Sequence, residues 1–200
     1  MIEWINFISF LINLVLWAWL YLISLQPMKR VEKIGEKGWN QCGIIRIIAG
    51  IFYYLVWTSY IIWIWYPVNL FDFKIFIRPH ISLIIGSLIF SLSVPLFYLG
   101  IKATGKETMR PIKEKEMNTG IYVYIRHPQV IADWLMLIGL ALISNSVVLL
   151  SISCVFIFIY TPIMIKKEEE DLVRRYGDKY KEYQKRTGAL FPKLFRIHRD

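Results

Sequence analysis

The residues able to do chemistry in this chain gather in two short polar segments. One ends Gly120-Ile121-Tyr122-Val123-Tyr124-Ile125-Arg126-His127-Pro128. The other opens Lys166-Lys167-Glu168-Glu169-Glu170-Asp171-Leu172 and runs on through Tyr176-Gly177-Asp178. A guanidinium and an imidazole on a loop opposite a carboxylate cluster can hold a zwitterion. Arg126 or a helix amino terminus takes its carboxylate, and Glu168 or Glu169 takes its ammonium. The same set serves proton transfer, because the unperturbed pKa of imidazole, ~6.5, lies near neutrality. Plainer roles stand beside these: Arg126 as a snorkelling anchor, His127 as a polar cap before a proline, and Glu170–Arg174 and Asp171–Arg175 as i,i+4 pairs worth ~0.2–0.5 kcal/mol each. Glu168 has less to do in that picture, since Asp171 and Leu172 follow it at three and four residues. Asp133 is separate. It stands inside an apolar run, where an acid is costly and marks a cavity or a partner; it either lines the opening beside His127 or bonds locally to Gln129.

What must position these groups follows from composition. The chain has 200 residues, 56% of them hydrophobic and 16% aromatic, with a mean hydropathy of +0.45. Soluble domains are nearer ~45–50% apolar. The apolar residues form five blocks, Trp4–Leu25, Gly43–Tyr66, Ile81–Ile101, Val130–Ser144 and Ser146–Ile165, against the ~20 residues that a spanning helix needs. The fourth is short, joins back through Gly120–Pro128 and pairs with the fifth as a helical hairpin. An all-α polytopic membrane protein of about five spans is expected, with a C-terminal hairpin and a cytoplasmic tail helix. Residues 1–101 form a three-span scaffold and residues 102–200 the catalytic region. No room is left for a separate soluble catalytic domain, which typically takes ~100–150 residues, so any reaction belongs at the membrane face. Pro95 and Pro162 lie within apolar blocks, where they should kink a helix.

Topology follows from charge. Of the 24 Lys and Arg residues, 22 fall in alternate connections and the tail, and two fall in the loop Pro67–His80. The basic side faces the cytoplasm, which places the amino terminus outside and the carboxy terminus inside. The first block reads as a retained span, for it lacks a basic flank and a cleavage site. The net charge of +9 suits anionic membrane lipids; without a soluble basic module, nucleic acid is not an expected partner. Cys42 and Cys154 are in no metal-ligand spacing and read as free thiols. The aromatic residues Tyr53, Tyr54, Trp57, Trp63, Trp65 and Tyr66 read chiefly as interfacial belts, with a cation cage as the alternative. No Gly-x-Gly-x-x-Gly occurs, which excludes a soluble dinucleotide-binding type of fold.

From Pro128 to Ser144 is 17 residues and from Ser146 to Glu168 is 23, giving arms of ~25 and ~33 Å. Pro128 suits the first turn of its helix. Packed antiparallel at ~8–10 Å, the arms bring Arg126–Gln129 and Glu168–Glu169 to one membrane edge.

The succession Gly120-Ile121-Tyr122, Arg126-His127-Pro128, an apolar hairpin, Glu168-Glu169-x-x-Leu172, Tyr176-Gly177, Tyr180, Tyr183, Arg186 and Phe191-Pro192 resembles the carboxy-terminal half of the isoprenylcysteine carboxyl methyltransferases. Phospholipid N-methyltransferases share a looser form of it. The resemblance spans roughly residues 116–192 and implies an integral membrane enzyme that uses S-adenosyl-L-methionine. By it, Tyr122, His127, Pro128, Gln129 and Val130 would hold the cofactor, and Glu168 would sit at the methyl acceptor. Three positions depart from the pattern. Val130 stands where members commonly carry a Tyr, Met164 replaces an arginine implicated in handling the acceptor, and Glu114-Lys115-Glu116 replaces a His-x-Leu element.

Residues and resemblance together give a methyltransferase for a lipophilic small-molecule or lipid-modified acceptor at the cytoplasmic face. Glu168, Glu169 and Arg126 are the candidates for catalysis, and Asp133 and Met164 for the acceptor site. A sterol-reductase-like enzyme using NADPH and a non-catalytic lipid-binding scaffold are the alternatives.

Overall fold

The computed structural model describes residues 1–105, 111 and 119–193. The Glu114-Lys115-Glu116 element and the last basic residues of the tail, Arg196 and Arg199, lie outside them. The architecture is all-helical: α1 (Ile2–Ser24), α2 (Pro27–Ile34), α3 (Lys37–Trp65), α4 (Pro79–Thr104), α5 (Pro128–Ile143), α6 (Val147–Val155), α7 (Thr161–Tyr176) and α8 (Asp178–Arg186). A π-helical turn, Phe156–Tyr160, joins α6 to α7 in one rod. Four helices, α1, α3, α4 and the α6–α7 rod, are long and apolar enough to cross a bilayer, and α5 is a shorter apolar helix. The molecule is thus a polytopic all-α membrane protein.

Helix α5 is short because it is central. Its 16 residues rise ~24 Å, less than the ~30 Å hydrocarbon core, yet nine of them are buried, whereas α4 buries four of 26. Small residues allow its neighbour to approach. A Cβ on Gly86 would lie 2.7 Å from the Ile143 nitrogen and 2.8 Å from the Gly139 oxygen, and one on Gly139 would meet the Phe90 nitrogen at 2.9 Å. Close backbone approach through small residues is how helices associate where lipid removes any hydrophobic drive. The Ser82 hydroxyl donates to the Leu142 carbonyl at 2.7 Å across the same seam.

Aromatic rings join α1 to α3: Phe10 meets Tyr60 edge-on at 5.4 Å and Trp17 stacks on Tyr53 at 4.7 Å. The Tyr160 hydroxyl donates to the Ala18 carbonyl, 3.0 Å, and so ties the long rod to α1. At the opposite end, Asn145 takes a positive φ of 49° in the tight α5–α6 turn, a conformation Asn tolerates. Its side chain accepts from the Phe76 amide and donates to the Phe76 carbonyl, both at 2.9 Å.

Several elements depart from the sequence expectation. The arm expected from Ser146 to Glu168 runs on as helix to Tyr176, the polar segment with helical charge spacing continuing the backbone hydrogen bonding beyond it. Helix α2 was not anticipated. Pro27 occupies its first turn, and Asp171 on α7 accepts from the Met28 amide at 2.9 Å, satisfying one of the free N–H groups there. The expected Asp171–Arg175 pair is present at 3.6 Å and buried. Arg174, in contrast, reaches Glu32 of α2 at 3.4 Å. Pro95 sits within a continuous α4. Pro162 follows the π turn, where the Thr161 amide reaches back to the Phe156 carbonyl.

Candidate active site

The loop before α5 is held from two sides. A short 3-10 turn, Gly120–Val123, carries Tyr122, and the chain after α8 returns alongside it: the Arg126 and His127 amides donate to the Gly188 and Ala189 carbonyls, each at 2.9 Å. Tyr183 of α8 donates to the Tyr122 carbonyl at 2.6 Å. Arg126 and His127 therefore have fixed backbones before their side chains are considered.

Both side chains face α7. The Arg126 Nε donates to Glu169 Oε1 at 2.8 Å, and its Nη1 donates to the Gln184 carbonyl at 3.2 Å and to the Thr187 carbonyl. His127 lies between two acids, with Nε2 2.9 Å from Glu169 Oε1 and Nδ1 3.4 Å from Glu168 Oε2. Glu169 is completed by the Gln184 amide at 2.8 Å. Since an ionised carboxylate only accepts, the ring carries a proton on both nitrogens. Burial opposes that charge, but the hydrogen bonds to Glu168 and Glu169 outweigh it and raise the pKa to about 9. Burial first, and then the charge of Glu168, keep the Tyr122 phenol protonated, its pKa raised.

Glu168 and Glu169 diverge. Glu168 keeps a third of its side chain accessible, 34%, and opens into a cavity of about 270 Å³ between α1, α3, α5 and α7. Tyr122, Arg126, His127, Gln129, Val130, Asp133 and Met164 line this cavity too. Pro128 is buried in the first turn of α5 and is not among the residues that line the cavity. Glu169 instead borders a second, more apolar groove of about 790 Å³ along the outer side of α7.

Asp133 points into the inner cavity and accepts from the Tyr53 hydroxyl at 3.0 Å, while Gln129 donates to Thr104 Oγ1 at 3.2 Å. Of the two roles open to Asp133 from the sequence, a place in the cavity wall is the one the geometry favours. Trp17, Tyr21, Arg46 and Tyr53 complete the wall, and sequence reasoning had left all four in the scaffold. A signal existed for Arg46, which bonds the Ser24 carbonyl at 3.0 Å. It stands three residues inside the second apolar block, as isolated a charge as Asp133.

The arrangement offers acids for cationic groups, aromatic faces, a bound imidazolium and an apolar groove next door. A family model described as phospholipid methyltransferase matches residues 80–179, which hold α4, the polar loop, the hairpin and the acidic pair. The nickel-cobalt-cadmium resistance protein NccN of Alcaligenes xylosoxydans xylosoxydans is 30% identical over 78 residues, which cover 39% of this chain and 36% of that relative. The match thus spans about a third of the relative's length. With half of its length matched by the family model and the acidic pair, His127 and the hairpin in the expected order, the chain belongs to the phospholipid methyltransferase family of membrane proteins.

Proposed function

We propose that this protein transfers a methyl group from S-adenosyl-L-methionine to a lipophilic acceptor at the cytoplasmic membrane face, with its amino terminus outside and its carboxy terminus inside. The observation that carries this reading is the pairing of two unlike spaces on the two sides of α7: a small cavity bordered by Glu168, Asp133 and aromatic rings, and a larger apolar groove bordered by Glu169.

The inner cavity suits a zwitterionic cofactor bearing a sulfonium. Glu168 and Asp133 face its cationic groups, and Tyr122, His127, Gln129 and Val130 with Trp17 and Tyr53 would hold the rest. Bound there, the sulfonium supplies an activated methyl group. What remains for the protein is alignment and exclusion of water, effects worth ~7–11 kcal/mol in favourable model systems. His127 fixes Glu168 and Glu169 in place and, being an imidazolium, acts as a clamp and not as a base. Glu168, the acid with free surface, orients the acceptor or takes its proton. Arg126 anchors the returning chain after α8 over the mouth.

Titration with S-adenosylhomocysteine and with NADPH tests the reading. The first is expected to bind and the second not to. Incubation with methyl-labelled S-adenosyl-L-methionine and a lipid extract should then label a species that partitions into organic solvent. Binding of NADPH alone would support the reductase-like alternative, and binding of neither a lipid-binding scaffold.

A further inference from the structure

The two spaces share two bordering side chains among the described residues, Trp134 and Thr161. These two are bonded to each other: Trp134 Nε1 donates to Thr161 Oγ1 at 3.1 Å, and Thr161 is 1% exposed. The wall between cavity and groove can be followed along α7. At its polar end stands the cluster of Glu169 with Arg126, His127 and Gln184. Eight residues back, ~12 Å deeper, stands the Trp134–Thr161 bond. Ile165 and Leu190, like Trp134, pack against the buried cluster of Leu25, Val130 and Met164.

These two closures differ in strength. The polar one joins a carboxylate to a guanidinium, an imidazolium and an amide, and charge-assisted bonds are roughly twice as strong as neutral ones. The deeper one is a single neutral bond. It also sits where the helix is least regular, because Thr161 ends the π turn, its hydroxyl and its amide both reach the Phe156 carbonyl, and Pro162 follows without an N–H. Such turns are frequent at functional sites. A wall that must open will open at its weaker bond.

We propose that Trp134, latched by Thr161, is the door between the two spaces, and that the reactive end of a lipophilic acceptor passes it to reach the inner cavity while its hydrocarbon chain stays in the groove. The groove has the grain of a lipid. Along the π turn and α7 its border runs from Ile157, Phe158 and Pro162 to Lys166, Glu170 and Arg174, some ~25 Å of helix, apolar at one end and charged at the other. A closed door lowers apparent acceptor affinity by the fraction of time it is open. Trp134 is therefore a positioning residue that sets access, and this assignment rests on the methyl-transfer reading.

The test uses full-length protein in lipid nanodiscs. S-adenosylhomocysteine affinity is measured by calorimetry, and label transfer to lipid extract is followed at varied extract content. Thr161→Val deletes the latch at nearly constant bulk, and Trp134→Phe deletes it while trimming the ring. Each is expected to raise kcat/KM for the lipid acceptor about threefold to tenfold, the range that one neutral hydrogen bond spans. The double variant should gain no more than either single one. A gain cannot come from misfolding. Unchanged or lowered kcat/KM in both single variants, or gains that multiply in the double variant, would overturn the door while leaving the methyl-transfer reading intact. Failure of the wild-type protein to bind S-adenosylhomocysteine would overturn both.

Discussion

Nε2 of His127 lies 2.9 Å from Oε1 of Glu169, and this contact decides what the histidine can do. With Glu168 on the other ring nitrogen, the imidazole has no lone pair to offer to a substrate proton. It is a buried cation that holds two adjacent acids apart, so that one faces the inner cavity and the other the groove.

The pH dependence follows. The pKa of His127 is raised to about 9 in the folded protein, against ~6.5 unfolded. A raised pKa contributes stability that is complete below ~6.5, declines as pH climbs from there, and is gone above about 9. Thermal unfolding in detergent, followed from pH 6 to 10, should show the wild-type Tm falling across that window more steeply than that of His127→Gln. Parallel curves would show that the ring is neutral in the folded state.

Glu168 and Glu169 should respond differently to the same substitution. Glu168→Gln is expected to lower label transfer at least 100-fold with a small change in Tm, because its carboxylate is the one open to the cavity. Glu169→Gln should cost more stability, since it removes the charge facing Arg126 and His127. Equal loss of Tm in the two variants would contradict the division.

Arg126 joins Glu169 to the carbonyls of Gln184 and Thr187. Removing one partner of a buried ion pair typically costs about 3–5 kcal/mol; this pair keeps 10% and 16% of its side chains accessible, so Arg126→Ala should cost less than that and still unfold at a lower temperature. Arg126→Lys should rescue only part, for an ammonium lacks the planar fork that serves three acceptors at once. Proteolysis after α8 offers a second readout: cleavage near Thr187 should accelerate in both variants.

The α4–α5 seam admits no added methyl. Gly86→Ala sets a Cβ against backbone atoms at 2.7 and 2.8 Å, which cannot swing away as a side chain would. The expected result is a lower Tm and a loss of monodisperse protein. Gly50→Ala is the control, because a Cβ there meets nothing within 4 Å, and it should be neutral or slightly stabilising.

How much was legible in the sequence depended on which force wrote it. Spanning segments are a matter of hydropathy over ~20 residues, so the rods could be read with their approximate limits, and Asp133 stood out as a charge among apolar neighbours. Helix α2 escaped because eight residues give too short a pattern, and its start is capped by Asp171, 143 positions away from Met28. Arg46 was counted with a loop although it lies within α3. The parting of Glu168 from Glu169 was also hidden. Successive residues of a helix point about 100° apart, but which side of α7 holds a cavity depends on α1 and α3, whose aromatic rings looked like membrane belts. Trp17 forms part of the wall because Phe156 and Tyr160 of the rod pack on it, and Tyr53 because it stacks on Trp17 and bonds Asp133.

The amides of Arg126 and His127 are satisfied by Gly188 and Ala189, more than sixty residues later in the chain. During translation, the loop that carries the imidazole is therefore made early and left with two unsatisfied donors until the segment beyond α8 has emerged from the ribosome. The loop is fixed only then, and a nascent chain stalled before Gly188 carries the described rods α1 to α7 without the contacts that hold the imidazole in place.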